Sequence, residues 1–141
     1  FPFAMAVETK QVTLPTQGRD EIRDITPEVA RAVRSSAISS GTVTVFVPGS
    51  TAGVTTIEYE PNVVADLAEA IRRLVPENLP YRHNAIDDNG HSHVRAALVG
   101  PSLTVPFVNK ELLLGTWQQI VLIDFDTHPR QRRLIFQIVG E

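Results

Sequence analysis

Residues 116–139 read TWQQIVLIDFDTHPRQRRLIFQIV. Ile120 to Ile123 is an unbroken aliphatic run, and Leu134 to Val139 is a second apolar stretch interrupted only by Gln137. Two strong strands are therefore expected over 116–125 and 133–139. Thr127-His128-Pro129-Arg130 between them is turn-forming, which predicts a hairpin. Arg130-Gln131-Arg132-Arg133 reads as its solvated basic tip, with His128 an exposed turn residue. Long adjacent strands joined without a helix favour antiparallel or mixed sheets over repeated βαβ units.

Outward from that stretch, residues 6–14, 20–25, 42–47, 54–59 and 102–108 also read as strands. Pro106 demotes the last to an edge or a bulge, because it has no N–H for a ladder. Two helices are expected. Thr26-Pro27-Glu28 opens the first with a cap residue, proline at the first helical position and an early acid. Val29, Ala30, Val33 and Ala37 form its apolar stripe, and Gly41 ends it. Pro61 opens the second. Val63, Val64, Leu67, Ala68, Ile71, Leu74 and Val75 share one face, and Pro76 stops it. The expectation is one α+β domain over 5–141, with about seven strands and two main helices in two packed mixed or antiparallel sheets. Residues 1–4 are read as an expression scar or a disordered N-terminus ahead of Met5.

Composition narrows the function. The chain has 141 residues, 43% hydrophobic and 21% charged, which fits one globular domain. A net charge of −3 lacks the basic excess of a general nucleic-acid binder. No apolar run reaches the ~18 residues of a membrane span. With no leader visible, the expected location is cytoplasmic. The absence of cysteine removes disulfides, thiolate zinc sites, iron–sulfur clusters and cysteine nucleophiles. Any metal must rest on histidine and carboxylate.

Three of the four histidines fall in one segment, Tyr81-Arg82-His83-Asn84-Ala85-Ile86-Asp87-Asp88-Asn89-Gly90-His91-Ser92-His93. In an extended backbone His91 and His93 point the same way and clamp one ion. His83 supplies a third ligand, leaving the open position of a catalytic divalent metal, zinc by ligand type. Asp87 or Asp88 would orient a ligand histidine or act as general base. The plain alternative is a polar surface loop whose side chains serve its own turns.

Other features carry two readings each. Pro48-Gly49-Ser50-Thr51-Ala52-Gly53 offers hydroxyls and backbone N–H groups to a phosphate, or is a simple strand connection. It lacks the lysine of a Walker loop. Arg95, beside Ser92 and His93, is an anion contact or a surface ion-pair partner. Lys110 is a further candidate anion contact. Trp117, next to Gln118, is a pocket wall, a core residue or part of a subunit interface. Glu58 is a carboxylate near the site or part of a helix entry. Ser92, His93 and Asp88 lack the nucleophile elbow of a hydrolase.

Several motifs together carry a resemblance. They are Ser50-Thr51-Ala52 with Glu58 and Pro61, Tyr81-x-His83, Asp88 through His93, Leu98-x-Gly100-x-Ser102-Leu103-Thr104-x-Pro106, Leu114-Gly115-Thr116-Trp117-Gln118, and Gly140-Glu141. The chain resembles the small YjbQ-like proteins, named for a secondary thiamine-phosphate synthase activity, from about Met5 to Glu141. The resemblance implies two packed sheets, a homotrimer, and a site around His83 and His93 with Asp88 beside them. Many such proteins carry histidine at the position of Gly49. Its absence here makes His91 the candidate replacement.

The expected function is thus a metal-dependent transferase acting on a small phosphorylated or heterocyclic substrate. Asp88, His93 and Arg95 would be catalytic. Ser50, Thr51, Glu58, Ser92, Trp117 and Gln118 would bind ligand, and His83, His91 and His93 would bind metal. The alternatives are a non-catalytic module holding the same ligand or metal, and a purely structural trimer.

Overall fold

A computed structural model describes residues 4–141, so most of the expectation for residues 1–4 lies outside the described residues. In chain order the elements are β1 (Ala6–Thr16), β2 (Glu21–Asp24), α1 (Thr26–Ser35), β3 (Gly41–Phe46), β4 (Ala52–Ile57) and α2 (Pro61–Leu74). A 3₁₀ turn (Arg82–Ala85) and α3 (Gly90–Val99) follow, then β5 (Ser102–Val108), β6 (Glu111–Leu112), β7 (Gln119–Asp124) and β8 (Arg130–Gly140). The strands form a five-stranded sheet, β1-β8-β3-β5-β6, and a three-stranded sheet, β2-β7-β4. Every pairing is antiparallel. The α+β expectation of two packed sheets holds.

The pattern of β7 shows how the layers stack. Ile120 and Leu122 face the five-stranded sheet and pack with Val43, Val45, Leu134, Phe136 and Ile138. Val121 and Ile123 face the other way, against Ala68 and Ile71 of α2 and Ala96 of α3. The strand is covered on both faces, so its sequence is unbroken apolar rather than alternating. β8 is covered on one face, and Arg132, Leu134, Phe136 and Ile138 point inward at period two. α1 inserts Val29, Ala32 and Val33 into the core between the sheets.

Two expectations are corrected, and the edge position read for Pro106 holds in large part. β7 and β8 are not a hairpin: β7 pairs with β2 and β4, while β8 pairs with β1 and β3. The chain between Phe125 and Arg130 crosses from one sheet to the other. Each strand there finds better partners in the sheet whose face its own apolar pattern fits. Pro106 lies in a strand bonded on one side to β3 and touched on the other only by two-residue β6. β5 thus keeps most of an edge free, which suits a residue with no N–H. The second correction is that residues 90–99 form a helix, where an extended segment or a polar loop is expected around His91 and His93.

Two turns adopt left-handed backbone at residues other than glycine. Asn109 and Lys110, at φ 51° and 69°, make the two-residue loop between β5 and β6, where right-handed strand twist demands positive φ. Gly18, Arg19 and Asp20 follow one another at φ 79°, 54° and 68°. Each of the two non-glycine residues there costs of order 1 kcal/mol or more.

The core geometry sets the expected cost of opening it. Leu134→Ala empties a site with 0% exposure and should cost about 2–5 kcal/mol in urea unfolding. Val7→Ala, on a side chain that is 61% exposed, should change the midpoint by no more than about 0.5 kcal/mol.

Candidate functional site

The end of the sandwich where the chain changes sheets gathers the buried charge. Asp124 ends β7 on its inward face, and Arg132 faces it from β8. The guanidinium makes a two-pronged contact, Nε donating to Oδ2 at 2.8 Å and Nη2 to Oδ1 at 2.9 Å. Arg132 Nη2 also donates to Thr51 Oγ1 at 2.7 Å, and Thr16 Oγ1 donates to Asp124. Burial raises the Asp124 pKa, but the Arg132 and Thr16 hydrogen bonds more than offset this and leave it below its ordinary value.

Asp126 forms the next tier. It accepts from Thr51 Oγ1 at 3.0 Å, Asn89 Nδ2 at 3.2 Å, Arg130 Nε at 2.8 Å and the Thr127 N–H at 2.8 Å. Burial pushes its pKa up. These donors and the Arg130 charge win, lowering it from 3.8 to about 2. The two aspartates therefore aim Arg130 and Arg132, fix the β3–β4 turn through Thr51, and tether Asn89 at the entry of α3.

α3 brings the histidines. Asn84 Oδ1 accepts from the Gly90 N–H at 2.9 Å, clamping the 3₁₀ turn to the first turn of the helix. A Cβ on Gly90 would lie 2.6 Å from Tyr81 Cβ, so glycine permits this approach. The clamp places the His83 ring edge-on to His93, with centroids 4.6 Å apart at 70°. His83 Nε2 is buried with no hydrogen-bond partner, and so is Asn89 Oδ1.

These pieces enclose a cleft of about 560 Å³ between the 48–51 turn, the histidine pair and the start of β8. Its wall carries Ser50, Thr51, His83, Asp87, Asn89, His93, Arg130 and Arg132. Arg132 Nη1 takes no part in the bonds above and lies where a side chain at position 49 would stand, 2.8 Å from a Cβ built there. Cationic forks, hydroxyls and imidazoles converge on one volume. Such a set binds the oxygens of a phosphoryl group and exchanges protons with it. Along the same face, Gly49, Ser50 and His93 also border an apolar extension of about 240 Å³ floored by Ala52, Ala96, Ala97 and Pro101.

Several residues singled out from the sequence lie elsewhere. His91 and His93 sit on a helix, and two positions turn roughly 200°, so they face opposite ways. His91 is buried on the far side of α3, 3.8 Å from Glu77, and the three-histidine set is not assembled. Among the described residues no group of three or more His, Cys, Asp or Glu side chains has metal-holding geometry. Arg95 is buried too, and it spends its charge on Asp20 at 2.8 Å. Ser92 is buried and donates to the Phe125 carbonyl. Asp88 is exposed, bonded to Thr127 at 3.0 Å and 3.4 Å from His128. The Thr127 hydrogen bond lowers its pKa, which makes it a poor proton donor at neutral pH.

Trp117 is 72% exposed, away from the cleft. Gln118 caps its own turn through Gly115 and lines a groove of about 400 Å³ that has no titratable side chain. Glu58 is an exposed residue just before α2, and Lys110 donates to the Ser36 carbonyl. The cleft residues that the sequence reading missed are Asn89, Arg130 and Arg132. Their signal was present as Asp124-x-Asp126 closing an apolar run, with Arg130-x-Arg132 at the period that puts both on one strand face.

The family model described as "UPF0047 protein YjbQ-like" matches residues 10–141. A UPF0047 protein of Methanothermobacter thermautotrophicus is 39% identical over 137 residues, covering 97% of this chain and 95% of that protein. A UPF0047 protein of Archaeoglobus fulgidus is 40% identical over 125 residues, covering 89% and 96%. The crystal structure of a YbjQ-like protein from Sulfolobus solfataricus P2 superposes with a TM-score of 0.94 at 32% identity, covering 98% of this chain and all of that one. No helix among the described residues is long and apolar enough to cross a membrane.

The ion pairs make two outcomes measurable. Arg132→Met leaves Asp124 buried and unpaired, and should cost roughly 3–5 kcal/mol in urea unfolding. The Arg132→Met/Asp124→Leu pair should recover most of that loss. Asp126 has a depressed pKa, so its contribution to stability is complete above its ordinary 3.8 and is lost as pH falls toward about 2. Asp126→Asn should therefore be less stable at neutral pH and should flatten the fall of the unfolding midpoint over that acid window.

Proposed function

The chain belongs to the UPF0047 YjbQ-like family, and from that premise we propose that the cleft holds the phosphoryl end of a small substrate and that His83 and His93 move its protons. One observation carries the reading. A histidine pair with an unpartnered buried Nε2 shares a single cleft with two arginines that buried aspartates hold in place. The apolar extension beside His93 gives a compact ring or hydrocarbon portion a seat next to the anion.

This suits the transferase chemistry that the resemblance implies. An aminopyrimidine diphosphate would lose pyrophosphate as its carbon bonds to the nitrogen of a thiazole phosphate. The leaving pyrophosphate develops charge, and Arg130, Arg132 and the Ser50 and Thr51 hydroxyls stand where it would collect. The hydroxyl of Thr51 is already shared with Asp126 and Arg132, so it orients more than it binds. Asp88 belongs outside this machinery. A three-histidine zinc site does not fit the residues present, and no step here depends on one.

Binding and turnover separate the enzyme from the non-catalytic module. Arg130→Ala should weaken inorganic pyrophosphate binding about tenfold or more by calorimetry, the loss of a charge-assisted contact. His93→Asn should lower kcat for the two thiamine precursors by about 100-fold or more, with little change in KM. Wild-type protein that binds pyrophosphate through Arg130 and never turns over supports the module. Failure to bind pyrophosphate sinks both. Elemental analysis of wild type and His83→Asn decides whether the pair also holds a divalent ion, zinc by ligand type.

The same reading includes a homotrimer. Leu98 and Leu113 are 70% and 56% exposed, near a groove lined by Val54, Val99, Leu103 and Leu114. Large exposed apolar side chains beside a groove are a usual mark of an interaction surface. Light scattering should give three times the 15.5 kDa chain mass, and a monomer mass would refute it.

A further inference from the structure

α3 turns a second polar face away from the cleft. Under it lies a pocket of about 210 Å³, bordered by Arg19, Asp20, Arg72, Glu77, His91 and Arg95. His91 and Arg95 are almost wholly buried, at 3% and 4% exposure. Asp20 is shared between two guanidiniums, accepting from Arg95 Nη1 at 2.8 Å and from Arg72 Nε at 3.0 Å. Arg95 Nε donates to the Val75 carbonyl at 3.0 Å. Each guanidinium carries five N–H donors, so most of those on Arg72 and Arg95 are unused by the protein, and Arg19 adds a third cation.

His91 completes the set as a neutral donor. Its Nδ1 is buried with no partner, whereas Nε2 lies 3.5 Å from Ser92 Oγ and 3.8 Å from Glu77 at the pocket's rim, so the tautomer protonated at Nε2 donates toward that side. Burial pushes its pKa below the ordinary value, so it is uncharged at neutral pH. The left-handed run Gly18-Arg19-Asp20 supports the arrangement. Its strain is held by the Arg19 N–H on the Asp126 carbonyl at 2.7 Å and the Asp20 N–H on the Asp124 carbonyl at 2.8 Å. Strained backbone that delivers an ionised side chain to a cavity is a mark of a working site.

We infer that this pocket is a second binding site, for a small oxyanion held by Arg19, Arg72, Arg95 and the Nε2–H of His91, separate from the cleft. Its volume is below the range of drug-sized ligand sites, which limits the occupant to inorganic phosphate or a compact carboxylate or phosphate ester. Glu77 at the rim opposes the anion and tunes its affinity. Asp126 borders this pocket and also anchors Arg130 on the cleft side, so the two sites share a wall.

The test follows the His91 ring by NMR in the full chain. Inorganic phosphate and acetate are titrated separately, in wild type and in Arg130→Ala, which removes a cleft arginine that does not itself line this pocket. The His91 signals should shift saturably with at least one anion in both proteins. Saturation by phosphate alone marks a phosphoryl ligand, and saturation by acetate marks a carboxylate. Arg19→Gly, which suits the left-handed φ and removes the charge, should weaken binding about tenfold. Glu77→Gln should tighten it several-fold. A His91 response that is absent, that fails to saturate, or that is unchanged by Arg19→Gly would overturn the site. So would a response lost in Arg130→Ala. None of these results bears on whether the cleft binds pyrophosphate.

Discussion

The contact between Asp124 and Arg132 governs the rest of the molecule. It joins the inner faces of the two sheets at the end of the core where the chain passes from one to the other. Apolar packing alone would allow the sheets to slide or to swap register at that end. A planar fork on a carboxylate does not, because its two hydrogen bonds fix both distance and orientation. Taking both charges out of water costs more than a well-packed apolar pair would. What the fork supplies is a fixed point from which Thr16, Thr51, Asp126 and Arg130 are placed in turn. The cleft is the outer surface of that arrangement.

Much of the fold was legible in the sequence for simple physical reasons. A β-branched run marks β3, large apolar residues at period two mark β8, an unbroken apolar run marks the doubly covered β7, and prolines in the first helical turn mark α1 and α2. α3 was not legible, because its buried positions hold Gly90, His91, Ser92 and Arg95 beside a single Ala96. A helix that buries polar groups against polar partners has no apolar stripe to betray it. The hairpin expectation for β7 and β8 failed for a related reason. Turn residues report that the chain reverses, not which sheet it enters afterwards.

The site was legible by half. His83, His93, Ser50 and Thr51 were named and they do meet. Arg130 and Arg132 were read as a solvated tip, since a basic run beside proline is usually one. Arg132 is buried against Asp124 eight residues earlier and the half-exposed Arg130 is held by Asp126 four residues earlier, an arrangement visible only once the strands are stacked. His91 and His93 show the converse. Their spacing means one shared site in a strand and two separate ones in a helix, so the motif has no fixed meaning until the backbone is known.

β8 lies between β1 and β3 in the larger sheet, yet it follows every other strand in the chain. During synthesis the ribosome delivers β1 first, and that strand has no neighbour until the final segment emerges. β3 gains β5 earlier but keeps its other edge open for as long. Each open edge is a template for a foreign strand. Closure of the larger sheet is therefore an event after translation of the domain, governed by long-range contacts that form slowly. The nascent chain would benefit from a holdase that shields β1 and β3 over that interval.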